Sequence, residues 1–146
     1  MPVVHGRVPS LAYRVSYEDE PVTFAGDDAS ETGSVAELAR GTDVLVHHRL
    51  LEAGTDPDDP KTELHSTAAG CGATASEADV GGSSSPTWVG TTPATSTRSL
   101  LARVHEAYDG PVVVVRDLVD IRSGGTVEGA RRGPESGARY LPSGDG

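Results

Sequence analysis

Residues 43–47 read DVLVH and residues 111–115 read PVVVV. In both stretches the apolar residues are consecutive, and polar or turn residues bound the run. A strand with one wet face alternates apolar and polar side chains, whereas an unbroken apolar run marks a strand buried on both faces. Two buried strands this far apart predict a sheet, and the segments around them must supply its cover.

Working outward, residues 2–5, 11–17 (LAYRVSY) and 21–25 (PVTFA) are short β-rich runs, and EDE at 18–20 predicts a hairpin turn between the last two. Gly26 ends the third run. Residues 34–37 (SVAE) have capping-box spacing, and Val35, Leu38 and Ala39 give a short helix an apolar face before Gly41 stops it. Residues 68–78 predict an Ala-rich helix despite Gly70 and Gly72. Residues 97–108 predict an amphipathic helix with Leu100, Leu101, Val104 and Tyr108 on one side, capped by Gly110. A short strand at 118–121 closes the series. The loop-like stretch 52–64 (EAGTDPDDPKTEL) separates the first buried strand from the Ala-rich helix. This alternation predicts an α/β (α+β) fold, a sheet covered by helices. Residues 122–146, rich in Gly, Ser, Pro and Arg with no apolar period, are expected to be a disordered tail behind a domain spanning 1–121.

Composition narrows the function. The 146 residues carry 12 Lys and Arg against 22 Asp and Glu, a net charge of −10. An acidic surface repels a polyanion, so sequence-independent binding to nucleic acid is not expected. Lys61 is the sole lysine, and this acidic, arginine-over-lysine balance suits a salt-adapted, halophilic host. Cys71 is the only cysteine, which excludes an internal disulfide and a thiolate cluster within one chain; a small, half-buried residue is expected there. No apolar run reaches the ~18 residues of a membrane span and no signal-peptide pattern follows Met1, so a cytoplasmic protein is expected.

Three small motifs stand at element ends: Val4-His5-Gly6 before a tyrosine-bearing strand, Phe24-Ala25-Gly26-Asp27-Asp28 closing a strand, and His65-Ser66-Thr67 at a helix start. Alone, a histidine near a strand end is more often a surface residue than a ligand, and Gly-Asp is a common turn. Their order is more specific. VVHGRVPSLAYRV, then VTFAGDD, then TDVLVHH, then LHSTAAGCGATASEADV resembles the second half of the metallo-β-lactamase fold as found in ribonuclease Z and related phosphodiesterases. The resemblance covers about residues 3–121. It implies half of an αβ/βα sandwich with a mixed sheet, and zinc as the cofactor. It also implies His5 as a zinc ligand and Asp27 as a carboxylate bridging two metals. His65 would be the catalytic group that neutralises the scissile phosphate or protonates its leaving oxygen.

The departures matter as much. The family's His-x-His-x-Asp-His motif lies in the half that precedes this region, so most metal ligands would be absent. Where the family has a Glu that orients the catalytic histidine, this chain has His48, read with His47 as a solvent-facing pair at a strand end. A neutral imidazole does not stabilise a charged histidine as a carboxylate does. Residues 81–88 (GGSSSPTW) occupy the slot of a buried strand that ends in the family's last histidine ligand, and are expected to form a poorly ordered loop. If Ser83, Ser84 and Ser85 use TCN codons, a frame read from each third base admits Arg-Leu-Val-Leu-Thr-His at this place. A pair of compensating frameshifts would then account for the substitution. On this reading the chain is a truncated, hydrolase-like remnant, inactive alone and binding zinc weakly. The alternative is a non-catalytic module that pairs with a separate N-terminal half or with a second copy to cover its exposed sheet edge.

Overall fold

The sheet starts from a hairpin. Strands β3 (Tyr13–Tyr17) and β4 (Glu20–Phe24) pair antiparallel with Tyr17 opposite Glu20. Only Glu18 and Asp19 remain for the turn, and both have positive φ, 49° and 65°. That is the two-residue geometry whose twist matches paired strands, here built without the usual Asn or Gly. In the computed structural model the described residues are 1–29, 33–48, 51, 58–81, 87–90, 97–115, 120–121, 127–128 and 139–141. A two-residue pair, β1 (Pro2–Val3) with β2 (Ser10–Leu11), precedes the hairpin, so the expected strand at 11–17 is broken at the buried Ala12.

From β4 the chain winds through helix α1 (Ser34–Ala39) into β5 (Val44–His48), then through α2 (Ala68–Glu77) into β6 (Thr87–Gly90), then through α3 (Thr97–Val104) into β7 (Val112–Val115). Strands β4 to β7 are neighbours and all parallel. With β3 antiparallel on one side and β10 (Arg139–Leu141) antiparallel on the other, the sheet is six-stranded and mixed, in the order β10-β7-β6-β5-β4-β3. Strands β8 (Asp120–Ile121) and β9 (Val127–Glu128) form a separate ribbon.

Side-chain alternation divides the sheet into two unlike faces. Leu45, Val112 and Val114 point into one core with Val35, Ala36 and Ala39 of α1, Cys71 and Ala75 of α2, and Leu100, Leu101 and Val104 of α3. Tyr108, just past α3, closes this core and donates its hydroxyl hydrogen to the Val80 carbonyl at 3.1 Å. Helices α2 and α3 meet closely: a Cβ on Gly72 would lie 2.3 Å from the Val104 carbonyl oxygen, so only glycine fits. The opposite face has no helix over it among the described residues. Val22, Val44, Val46 and Val113 cluster there, with Tyr13, Val15, Tyr17 and Phe24 each 44–72% exposed around them. Val15, Tyr17, Val22, Phe24, Val44 and Val46 line an apolar depression of about 390 Å³ on this face.

Several expectations need correction. Helix α1 starts one residue earlier than capping-box spacing requires, with Gly33 rather than Ser34 as N-cap, in a left-handed conformation and with no side-chain cap. Part of the expected loop is a 3₁₀ turn, Pro60–Glu63, started by Asp59 accepting from the Lys61 amide at 2.9 Å; residues 52–57 lie outside the described residues. The slot expected to hold a loop contains strand: Thr87–Gly90 pairs with β5 on one side and β7 on the other, while residues 82–86 lie outside the described residues. Within the stretch expected to be a disordered tail, Val127–Glu128 and Arg139–Leu141 are paired strands; its other residues lie outside the described ones. Among the described residues no helix is long and apolar enough to cross a membrane.

Candidate metal centre

Parallel strands deliver their C-terminal ends to one crest, and the loops beyond them carry the polar groups. Strand β4 ends at Phe24, opposite Val46 of β5. The pairing runs one step further, Ala25 N–H donating to the Val46 carbonyl at 2.9 Å, and then Gly26 turns the chain with φ 68°. A side chain at Gly26 would meet the Leu11 carbonyl oxygen at 2.6 Å, so both conformation and space require glycine there. Two residues beyond the Phe24–Val46 pair the strands reach Gly26 and His48. Asp27 and His48 are therefore neighbours, with His48 Nδ1 2.9 Å from Asp27 Oδ1.

The third element is the start of α2. Thr67 is its N-cap, accepting from the Gly70 amide at 3.0 Å, as Ser or Thr does at a helix start. Ser66, buried, donates its hydroxyl to the Asp28 carbonyl at 2.6 Å and fastens the helix start to the Asp27 loop. That fastening brings His65 to the same crest. Donor atoms of Asp27, His48 and His65 all lie within 4.8 Å of one another. His5 arrives from the loop after β1 and stacks edge-on to His65, with ring centroids 4.9 Å apart. Its Nδ1 donates to the Leu64 carbonyl at 2.6 Å, which fixes the ring and leaves Nε2 with the lone pair.

The electrostatics follow from this crowding. Burial, and after it the neighbouring His5, lowers the pKa of His65 below the ordinary histidine value; Asp27 pulls the other way and His48 lowers it further. Nδ1 of His65 is buried with no hydrogen-bond partner among the described residues. Uncharged imidazole nitrogens and a carboxylate are the donor types that hold zinc and similar borderline cations.

The structure thus brings together His5, Asp27 and His65, which lie far apart in sequence. It adds His48, which sequence reasoning treated as a departure. His48 sits 6.1 Å, centroid to centroid, from His65, and its side chain is 40% exposed. The signal that could have found it was positional: the end of a buried parallel strand next to the strand that ends in Gly26-Asp27. His47, in contrast, is not solvent-facing. It is fully buried, with Nδ1 donating to the His48 carbonyl at 3.0 Å and lying 3.5 Å from Cys71 Sγ, and burial pushes its pKa down from 6.5 to about 4. Cys71 is fully buried rather than half-buried.

The mixed sheet with helices on one face is the fold that this chain shares with a solved protein of the metallo-β-lactamase fold. The metallo-β-lactamase fold protein YhfI from Bacillus subtilis superposes with a TM-score of 0.65 at 19% identity, over 88% of this chain and 47% of its own. At that identity the likeness is one of fold, and this chain spans about half the length of YhfI. No family model matches the sequence. No curated protein matches it either.

Proposed function

We propose that this chain is a metal-binding module of hydrolase type, related to ribonuclease Z-like zinc phosphodiesterases. Its chemistry would be centred on Asp27 and its hydrolytic capacity as a single chain would be little or none. The supporting observation is the convergence of His5, Asp27 and His65 on one sheet crest from three separate loops. Asp27 and His5 would hold zinc, and zinc would supply an activated water. His65 would neutralise or protonate a phosphodiester oxygen. Catalytic zinc usually takes three protein ligands and an open position, and His5 with Asp27 makes only two.

The partner best suited to complete the site is a complementary α/β half that lays an apolar sheet over the face bearing Tyr13, Val15, Tyr17 and Phe24. A contiguous apolar face of this kind marks an interaction surface. YhfI is about twice as long as the region matched, which leaves room for such a half. A second copy of this chain is disfavoured because it would bring −10 against −10.

Zinc titration by calorimetry, with hydrolysis of bis(p-nitrophenyl) phosphate measured in parallel, tests the reading. Wild type is expected to bind zinc and to show little turnover, and Asp27→Asn to abolish binding. Zinc binding indifferent to Asp27→Asn would reject the site. Sedimentation showing a tight homodimer would replace the complementary half with a second copy.

A further inference from the structure

Resting on the part of the reading above that centres a metal on Asp27, and revising the ligands around it, we infer that in the isolated chain Asp27, His48 and His65 form a complete three-ligand site for one borderline divalent cation. His5 then supports the ring of His65 and is not itself a ligand. The residue that looks like a defect, a histidine in place of an expected carboxylate, is on this account the third ligand.

Four observations carry it. The donor atoms of Asp27, His48 and His65 are mutually within 4.8 Å, a set that does not include His5. Two donors that each lie about 2.0–2.1 Å from one tetrahedral ion sit about 3.3 Å apart; His48 Nδ1 and Asp27 Oδ1 are already 2.9 Å apart. Nδ1 of His65 is buried without a hydrogen-bond partner among the described residues, and a buried polar atom left unpaired calls for an explanation. Finally, His5 packs edge-on against His65 with ring centroids 4.9 Å apart, and so steadies the ring that this site would use.

The donor set is two imidazoles and one carboxylate with no thiolate, since Cys71 is buried against His47. Such a set favours zinc, cobalt, nickel or copper over magnesium and calcium, which prefer all-oxygen cages. It also ties up His65. With its ring on the ion, His65 is not available to act on a substrate, which gives a physical reason for an isolated chain that binds metal and turns over little.

Cobalt(II), whose visible absorption reports coordination, serves as the probe, with zinc competition for affinity. His48→Gln and His65→Gln are each expected to weaken binding at least tenfold and to change the cobalt spectrum. His5→Gln is expected to weaken binding less than threefold. Magnesium in tenfold excess should not compete. Thermal melts of the metal-free variants separate ligand loss from misfolding; His48 is half-exposed, so His48→Gln should melt like wild type. Should Asp27→Asn and His5→Gln abolish binding while His48→Gln leaves it intact, this inference falls and the Asp27–His5 reading stands. Should Asp27→Asn leave cobalt and zinc binding unchanged, both fall.

Discussion

His47 and His48 are adjacent in sequence and opposite in environment, because successive side chains of a strand leave by opposite faces. His48 emerges at the crest beside Asp27, and His47 turns under α2 against Cys71. His47 Nε2 has no hydrogen-bond partner among the described residues, and the ring is fully buried, so adding a proton there costs solvation that the hydrogen bond to the His48 carbonyl offsets only in part. Its folded pKa of about 4 lies below the unfolded value of 6.5, so the unfolded chain binds more protons between those limits. Stability is therefore complete above about pH 6.5 and falls as the pH drops towards 4, by up to ~1.4 kcal/mol per unit. Urea midpoints of the chelator-treated protein at pH 7.5 and 5.0 check this. The midpoint should drop clearly in wild type, and His47→Gln should flatten the slope. A wild-type midpoint equal at both pH values would contradict it.

At the scale of elements, two features are expected to respond in opposite senses. Gly72 lies inside α2, where alanine would ordinarily be favoured by about 1 kcal/mol. Here the new methyl would press on the Val104 carbonyl of α3, which belongs to the backbone and cannot rotate away. Gly72→Ala is accordingly expected to lower stability by about 1–3 kcal/mol in chemical denaturation, and a gain would show that the helices can part freely. In the β3–β4 turn, Glu18 and Asp19 both hold positive φ, a conformation that costs ordinary residues energy. Replacing Glu18 by Asn and Asp19 by Gly together should raise the melting temperature by a few degrees, since that pair adopts the turn readily. An unchanged melt would show that the strain is negligible. The strand Thr87–Gly90 belongs to this scale too: TWVG pairs on both sides in the protein as written, so a central strand does not require the shifted reading frame. The codons at Ser83 to Ser85 still decide that history, since one AGY serine eliminates a frameshift.

The whole molecule has one face under helices, one face bare of them among the described residues, and a sheet edge closed late in the chain. Strand β10 pairs with β7 through Arg139–Val114, Tyr140–Val113 and Leu141–Val112. The composition of residues 122–146 argued that removing 125–146 would leave thermal unfolding nearly unchanged. The pairing argues otherwise, because the deletion would strip the antiparallel partner from β7 and open an edge prone to association. A drop of about 4 °C, equivalent to roughly 1 kcal/mol for a domain of this size, is expected, with greater aggregation on heating. An unchanged melting temperature would return the segment to a dispensable tail.

Local chemistry determined much of this protein by itself. Unbroken apolar runs at 43–47 and 111–115 marked strands β5 and β7 to within a residue, and Leu100, Leu101, Val104 and Tyr108 marked the buried side of α3. These follow from burial and period, which neighbouring residues encode. His5, Asp27 and His65 were legible only through the likeness of their motifs, since nothing local ties a histidine at 5 to one at 65. Tertiary structure alone decided the rest. Which of two adjacent histidines is buried depends on which face α2 covers. That His48 meets Asp27 depends on parallel pairing between β4 and β5. That a Gly- and Ser-flanked TWVG and the stretch Arg139–Leu141 become strands depends on partners already in place. A backbone beside an open row of amides and carbonyls gains hydrogen bonds whatever its own propensity, so strand formation there is settled by the neighbour.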